Sequence, residues 1–307
     1  MLCGGLCRRG LVVGDRRSLS FREMRRLGAS VNPAYRGRIA PSPTGQLHLG
    51  HARTFWVAHE RAKARGGTLI LRNEDLDRDR VRPEFVTDFL EDLRWFGIQW
   101  QEGPDCGGPQ APYSQSERKA QYQSVFEELR STGWLFPCTC SRKDIQSAVA
   151  APHAADDEPI YPGTCRHRSA AEIPTGRPVS WRFRVPEGQT VSWTDGGQGA
   201  QSWVSGRDFG DFVVVRPDGV PSYQLACVTD DHAMGITEVV RGADLLVSTA
   251  RQILLYLALG WTPPDFFHCP LMTDEQGVRL AKRHAALSLR TLRDQGRSPD
   301  ELRDSWR

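Results

Sequence analysis

His48 and His51 stand three residues apart and enclose Leu49-Gly50, directly after the string Pro41-Ser42-Pro43-Thr44-Gly45. Two prolines exclude helix from that string, so it must be a turn. Helix formers follow from Ala52 to Ala64, with Phe55, Val57 and Ala58 on an apolar stripe, and Gly66-Gly67 ends the run. A helix start offers unbonded N–H groups and a partial positive charge, which together suit a phosphate. Gly50 lets the backbone come close, and two imidazoles at this spacing can hydrogen-bond one triphosphate. As a lone string the pair would read equally well as two surface histidines. The preceding turn favours phosphate.

A second candidate lies at Arg279-Leu280-Ala281-Lys282-Arg283. Of 40 basic residues only Lys63, Lys119, Lys143 and Lys282 are lysines, so a lysine here implies that a compact ammonium is wanted. Such a group stabilises charge on a phosphate under attack; the alternative is a solvated basic loop. A third candidate is Cys138-x-Cys140 with Cys165. Three thiolates and one N or O donor make a tetrahedral zinc site. By spacing, His153 and His167 compete for the fourth position, and three cysteines packed as small apolar groups are the alternative. Cys3, Cys7, Cys106, Cys227 and Cys269 follow no ligand pattern. Asp230-Asp231-His232 imitates a metal site but lacks a further ligand, and helix capping with sheet-end hydrogen bonds is the simpler reading. The nine tryptophans, Trp95, Trp100, Trp193 and Trp203 among them, read as core and rim packing.

The elements that must hold these groups alternate. A short strand around Arg38-Ile39-Ala40, the helix after His51 and a buried strand Thr68–Leu71 form a βαβ unit, which requires a parallel sheet. Its ligand belongs outside the carboxyl ends of the strands, where His48 and His51 stand. Helices are expected over Pro83–Phe96 and Glu117–Thr132. A later alternation reads as strands Phe212–Val215, Tyr223–Val228 and Ile236–Val240, then a helix Leu245–Leu259. Between the halves, Cys138–Pro186 is broken by proline, glycine and acids and reads as an insertion. There is no Gly-x-x-x-x-Gly-Lys-Ser/Thr run and no Gly-x-Gly-x-x-Gly opening a helix. These absences argue against a P-loop and against nicotinamide or flavin cofactors.

Length and composition agree with one large domain or a domain with an insertion: 307 residues, 39% hydrophobic and 25% charged. The longest apolar run, Ile253 to Leu259, is far short of the roughly 20 residues of a membrane span. Net charge is +3, yet residues 1–38 carry nine arginines against Asp15 and Glu23. The middle of the chain is therefore acidic, and any nucleic-acid contact must be a local patch rather than bulk attraction. Arg8 and Arg9 interrupt any secretory apolar core, and eight cysteines in a chain of this length do not suggest a disulfide framework, so a cytoplasmic protein is expected.

Five strings, in order, resemble the glutamyl-tRNA synthetase family of class I aminoacyl-tRNA synthetases. They are Arg38-Ile39-Ala40-Pro41-Ser42-Pro43-Thr44-Gly45, His48-Leu49-Gly50-His51, Arg72-Asn73-Glu74-Asp75, Val240-Arg241-Gly242-Ala243-Asp244-Leu245 and Arg279-Leu280-Ala281-Lys282-Arg283. The resemblance implies a Rossmann-like class I synthetase catalytic domain with a parallel sheet, split by a zinc-bearing insertion. It implies that His48, Gly50, His51 and Lys282 meet ATP, with His48, His51 and Lys282 catalytic. It also implies that Arg38, Ile39, Ala40, Pro41, Ser42, Glu74, Tyr223 and Arg241 bind L-glutamate. Two arginines suit the substrate's two carboxylates, and one acid suits its ammonium. Mg²⁺ is expected with ATP. Ala281 and Arg283 depart from the serines usual in the family's second signature loop, and Asn73 replaces an apolar residue.

The resemblance extends to the family's short glutamyl-Q tRNA(Asp) synthetase branch, because 25 residues after Lys282 are too few for a helical anticodon-reading domain. That branch implies Cys138, Cys140, Tyr161 and Cys165 as ligands of one structural zinc. It also implies tRNA-independent activation of glutamate and transfer to queuosine in the anticodon stem-loop of tRNA(Asp), with no membrane partner. The expected layout is a basic extension over 1–34 and a nucleotide-binding domain in two halves, 35–136 and 211–290. The insertion then spans 137–210 and a tail 291–307. A truncated synthetase charging a tRNA 3′ end and a non-catalytic RNA-binding paralogue are the alternatives.

Overall fold

A computed structural model describes residues 34–148, 159–272 and 288–306. Strand β1 (Arg36–Ile39), helix α1 (Leu49–Ala64) and strand β2 (Thr68–Leu71) form the expected βαβ unit, with Arg36 opposite Thr68 and Ile39 opposite Leu71 in parallel register. Helices α2 (Pro83–Trp95) and α3 (Lys119–Ser131) follow. Next come β3 (Leu135–Cys138), α4 (Arg142–Ala148), β4 (Ser180–Phe183), β5 (Thr190–Asp195), β6 (Gly199–Val204) and β7 (Phe212–Val215). The chain continues through α5 (Tyr223–Ala233), β8 (Glu238–Gly242), α6 (Leu246–Ala258) and β9 (Asp265–Cys269), then α7 (Leu289–Asp294) and α8 (Pro299–Asp304).

β8 and β9 are parallel, with α6 between them, so a second βαβ unit faces the first. The two units adjoin where Thr237 N donates to Arg36 O at 2.9 Å. β3, β4 and β7 instead form an antiparallel sheet, and β5 pairs with β6 as a hairpin. Phe212–Val215 is thus a strand as expected, but it pairs with β4 and not with the parallel strands.

Tyr223–Val228, read above as a strand, is the first half of helix α5. Ser222 caps it, its side chain accepting from Leu225 N. From Gln224 to Asp231 every residue is buried. A short apolar run without a polar face looks alike as strand or buried helix, because no periodicity separates the two.

One apolar cluster lies around the first unit, with Ile39, Leu71, Phe89, Leu93 and Phe96 at its centre. Leu289 is buried in the same cluster with Leu292 and Leu302, and the last two come from the stretch 291–307 read as a tail, so that stretch contributes to the core. A buried leucine contributes about 1.5–3 kcal/mol. The larger cluster joins Phe183 and Phe212 to Leu225, Val228 and Leu255. Among the described residues no helix is long and apolar enough to cross a membrane.

Candidate active site

Helix α1 follows β1 after the turn at 41–45, and His48 is its N-cap. His48 Nδ1 accepts from His51 N, and His51 Nδ1 accepts from His48 N, both at 3.4 Å. The rings stack with centroids 3.6 Å apart. Burial holds the His48 pKa below the usual imidazole value; crowding by the chain and then His48 do the same for His51, although its surface stays open to solvent. Both rings are therefore neutral at pH 7. Each has its Nδ1 lone pair engaged by a backbone N–H, so its proton sits on Nε2. The helix start thus offers two Nε2–H donors beside its own free N–H groups. A Cβ at Gly50 would lie 3.1 Å from His48 Cε1 and Nδ1. Glycine at this position makes room for the imidazole pair.

A second group of polar residues gathers at the ends of β1, β2 and β8. Arg38 is buried, with Nη1 donating to Val240 O at 2.9 Å and Nε 3.5 Å from Asp231 Oδ1. Arg72, fully buried, donates to Asp231 Oδ1 at 2.6 Å and to Glu74 Oε1 at 2.9 Å. Cys227 Sγ donates to the same Glu74 oxygen at 3.5 Å. Burial, then Glu74, pushes the Cys227 pKa up, so it stays a thiol. Arg241 donates to His268 Nε2 at 3.1 Å, to Tyr223 Oη at 3.3 Å and to Thr249 Oγ1 at 2.6 Å. Among the described residues its direct partners are uncharged, whereas Arg38 and Arg72 already face carboxylates. Tyr223 is 37% exposed, and Arg38, Glu74, Cys227 and Arg241 all lie within electrostatic reach of its phenol.

Of the sequence-derived site residues, Arg38, Glu74, Tyr223 and Arg241 thus gather in one polar cluster, and His48, Gly50 and His51 share the start of α1. Ile39 is buried in the apolar core, and its carbonyl accepts from Arg72 N at 2.9 Å. Its side chain is a packing element. Pro41 O accepts from Glu74 N at 3.0 Å, which ties the turn to the pocket, while Ala40 is half-buried and Ser42 is exposed. Arg279–Arg283, with Lys282, lies outside the described residues, as does His153; Ser288 pairs with His48 in an antiparallel bridge. Asp230 and Asp231 are neither caps nor sheet-end groups. Asp231 holds Arg38 and Arg72, and Asp230 accepts from Arg118 Nε (2.6 Å), Gln115 (2.7 Å) and Tyr122 (2.9 Å). Buried arginines require anions, so two adjacent acids inside an apolar run were the signal available for these positions.

The third cluster is thiol-rich. The sulfurs of Cys138, Cys140 and Cys165 lie within 4.8 Å of one another. Cys140 and Cys165 Sγ are 3.6 Å apart, too far for a disulfide. Tyr161 Oη sits 3.4 Å from Cys138 Sγ and 3.7 Å from Cys140 Sγ, and accepts from Cys165 N at 2.8 Å. Around a tetrahedral zinc, thiolates lie roughly 3.8 Å apart and an oxygen ligand roughly 3.5 Å from each sulfur. These four side chains fit that ion. His167 is exposed and outside the cluster.

Paired βαβ units, with an imidazole-capped helix at the strand ends, define a class I synthetase catalytic domain. The chain belongs to that family: residues 34–305 match tRNA synthetases class I (E and Q), catalytic domain, a family of ATP-dependent ligases. It is 48% identical to the Glutamyl-Q tRNA(Asp) synthetase of Nitratidesulfovibrio vulgaris, over 85% of this chain and 82% of that protein. With the Glutamyl-Q tRNA(Asp) synthetase of Symbiobacterium thermophilum it shares 49%, over 87% of this chain and 83% of the other. With the Glutamate--tRNA ligase 1 of Halorhodospira halophila it shares 41%, over 86% of this chain and 56% of that protein. The solved glutamate-tRNA synthetase of Elizabethkingia anophelis superposes with a TM-score of 0.73 at 33% identity. That match covers 86% of this chain and 54% of the other, so the chain spans about half the solved protein.

Proposed function

We propose that this chain activates L-glutamate with ATP, without needing tRNA, and passes the glutamyl group to queuosine at the wobble position of tRNA(Asp). The observation that carries the first half is a cluster: Arg241, whose direct partners among the described residues are uncharged, with Arg38, Glu74 and Tyr223 close by, in a fold whose α1 also starts on an imidazole cap. The glutamate α-carboxylate attacks the α-phosphorus of ATP and displaces pyrophosphate. A hydroxyl of the acceptor base then attacks the mixed anhydride and displaces AMP, giving its proton to solvent. Arg241 and Arg38 serve the substrate carboxylates, and Glu74 serves the ammonium. The Nε2–H groups of His48 and His51, with the backbone at Gly50, serve the phosphates. Lys282 is assigned to the charge developing in the transition state.

The second half rests on the two glutamyl-Q relatives at 48% and 49% identity, against 40% to 42% for the glutamate–tRNA ligases. A cleft of about 620 Å³ beside Asp75, with Lys119 and Arg216 among its lining, offers space for an RNA nucleoside. Zinc held by Cys138, Cys140, Tyr161 and Cys165 is structural, since four protein ligands leave no open position. Mg²⁺ travels with the ATP phosphates; among the described residues the only three-ligand cluster is the cysteine one. The reaction belongs in the cytoplasm, where charged tRNA is made and used.

Transfer of radiolabelled glutamate to tRNA(Asp) tests the acceptor. Label should enter queuosine-containing tRNA and leave tRNA lacking the base unlabelled. Equal labelling of both would place the glutamate on a 3′ end and overturn the proposal.

A further inference from the structure

Arg241 is held in a manner that the pocket alone does not explain. Its Nε–H points to His268 Nε2 at 3.1 Å, so that nitrogen is the acceptor and the ring proton sits on Nδ1. Nδ1 in turn lies 2.5 Å from Asp195 Oδ2, and Asp195 belongs to the end of β5. Asp195 Oδ1 is fully occupied by three backbone donors, His268 N, Gly197 N and Gln198 N, each at 2.9 Å. His268 is fully buried and Asp195 is 3% exposed. The turn between β5 and β6 reaches β9 so closely that a Cβ at Gly197 would lie 2.3 Å from His268 O. Gly196 N donates to Phe266 O, and Gln198 Nε2 to His268 O.

We infer that Asp195 and His268 are positioning residues for Arg241, and that the β5–β6 turn thereby sets the affinity for the substrate carboxylate. The inference rests on the reading of Arg241 as a glutamate ligand. Its logic is tautomeric. A neutral imidazole carries one proton, and the carboxylate of Asp195 keeps it on Nδ1, leaving Nε2 to accept from Arg241. Thr249 Oγ1 fixes one end of the guanidinium and Tyr223 Oη touches the other. With Nε aimed at His268, the plane of the guanidinium is set. Among the described residues, one N–H on each terminal nitrogen then remains for a carboxylate. Burial first, then the Arg241 charge, works against an imidazolium at 268, while Asp195 works for it; the net direction is downward, which keeps the ring neutral.

Asp195→Asn separates this role from simple packing, because it is isosteric. The three backbone donors compel the amide oxygen to take the Oδ1 place, which turns the NH₂ toward His268 Nδ1. Nδ1 must then accept, the ring proton moves to Nε2, and two donors face each other at Arg241. The same reversal of an imidazole tautomer by an Asp→Asn change underlies the loss of activity in the well-studied serine protease triad. Losing a charge-assisted hydrogen bond changes affinity by about ten- to a hundredfold.

The test is glutamate-dependent ATP–pyrophosphate exchange by the full chain, with KM for glutamate and for ATP measured separately. Asp195→Asn should raise KM for glutamate by about tenfold or more and leave KM for ATP within about twofold. His268→Gln, whose amide oxygen can stand in for Nε2, should preserve glutamate affinity far better than His268→Leu, and this comparison decides the matter if Asp195→Asn does not fold. In an Arg241→Ala background, Asp195→Asn should add almost nothing, as expected for residues acting through one group. If Arg241→Ala raises KM for glutamate but neither Asp195→Asn nor His268→Leu does, the positioning role is wrong. Should Arg241→Ala leave KM for glutamate unchanged, the pocket assignment falls, and the positioning role with it. Parallel rises in both KM values would also overturn the inference, since they would mark a general disturbance of the fold.

Discussion

At the scale of single residues, the start of α1 depends on a glycine for lack of space. A Cβ at residue 50 meets the His48 ring at 3.1 Å, so Gly50→Ala should unstack the two imidazoles. Alanine is otherwise favoured over glycine inside a helix by roughly 0.5–1 kcal/mol. Thermal unfolding should therefore show a stability near or above that of the native chain, while exchange falls and KM for ATP rises. A variant with lost stability and unaltered KM would contradict the packing argument. The histidines also carry a pH signature. Their pKa values lie below the ordinary imidazole value of about 6.5, so the unfolded chain takes up protons first as pH falls. The stability they contribute is present above that pH and is lost as pH drops toward the folded-state values. The urea midpoint should fall between pH 7 and pH 5, and it should fall less in a His48→Gln, His51→Gln variant; identical slopes would contradict the assignment. As candidates, the histidine pair, Glu74 and Arg241 could be picked out because each sits in a short string with its own chemistry. His268, Asp195 and Asp231 were not: they act on other side chains, 27, 73 and 159 residues away in sequence, through buried bonds.

At the scale of elements, strands flanked by glycine turns were read correctly, and α5 was not. Thr68–Leu71 has the bounds its composition implies, because Gly66-Gly67 and the charged Arg72 delimit it on both sides. Helix α5 offers no such edges: its middle is buried all round, and the charged pair Asp230-Asp231 is hidden by partners that only the folded chain brings close. The candidate zinc cluster was half legible. Spacing identified the three cysteines, yet could not choose between Tyr161, His153 and His167, since the choice depends on how the loop folds back. Cys140→Ser should reduce zinc from about one ion per chain to near zero. Hydrogen exchange should then accelerate first in β3, β4 and β7, the antiparallel sheet to which the cluster is attached. Full metal content, or a loss of protection that begins in β1 and β2, would contradict a structural zinc at this place.

At the scale of the whole molecule, two adjoining βαβ units contribute to one polar cluster. β1 brings Arg38, the segment just after β2 brings Glu74, β8 brings Arg241, and α5 brings Tyr223. This convergence explains why the overall class could be read from motif order, since each motif marks a strand end and parallel strands point their ends the same way. The antiparallel sheet and the docking of α7 and α8 into the core were beyond such reading, because they depend on long-range pairing without a local motif. On the proposed assignment glutamate needs no RNA to be bound, since Arg241 is already oriented by Thr249, Tyr223 and His268 in the free protein. Glutamate-dependent ATP–pyrophosphate exchange, with and without added tRNA, tests that claim most directly. A prebuilt pocket gives exchange in the absence of tRNA, at a rate that tRNA changes little. Exchange that appears only with tRNA, or not at all, would contradict it.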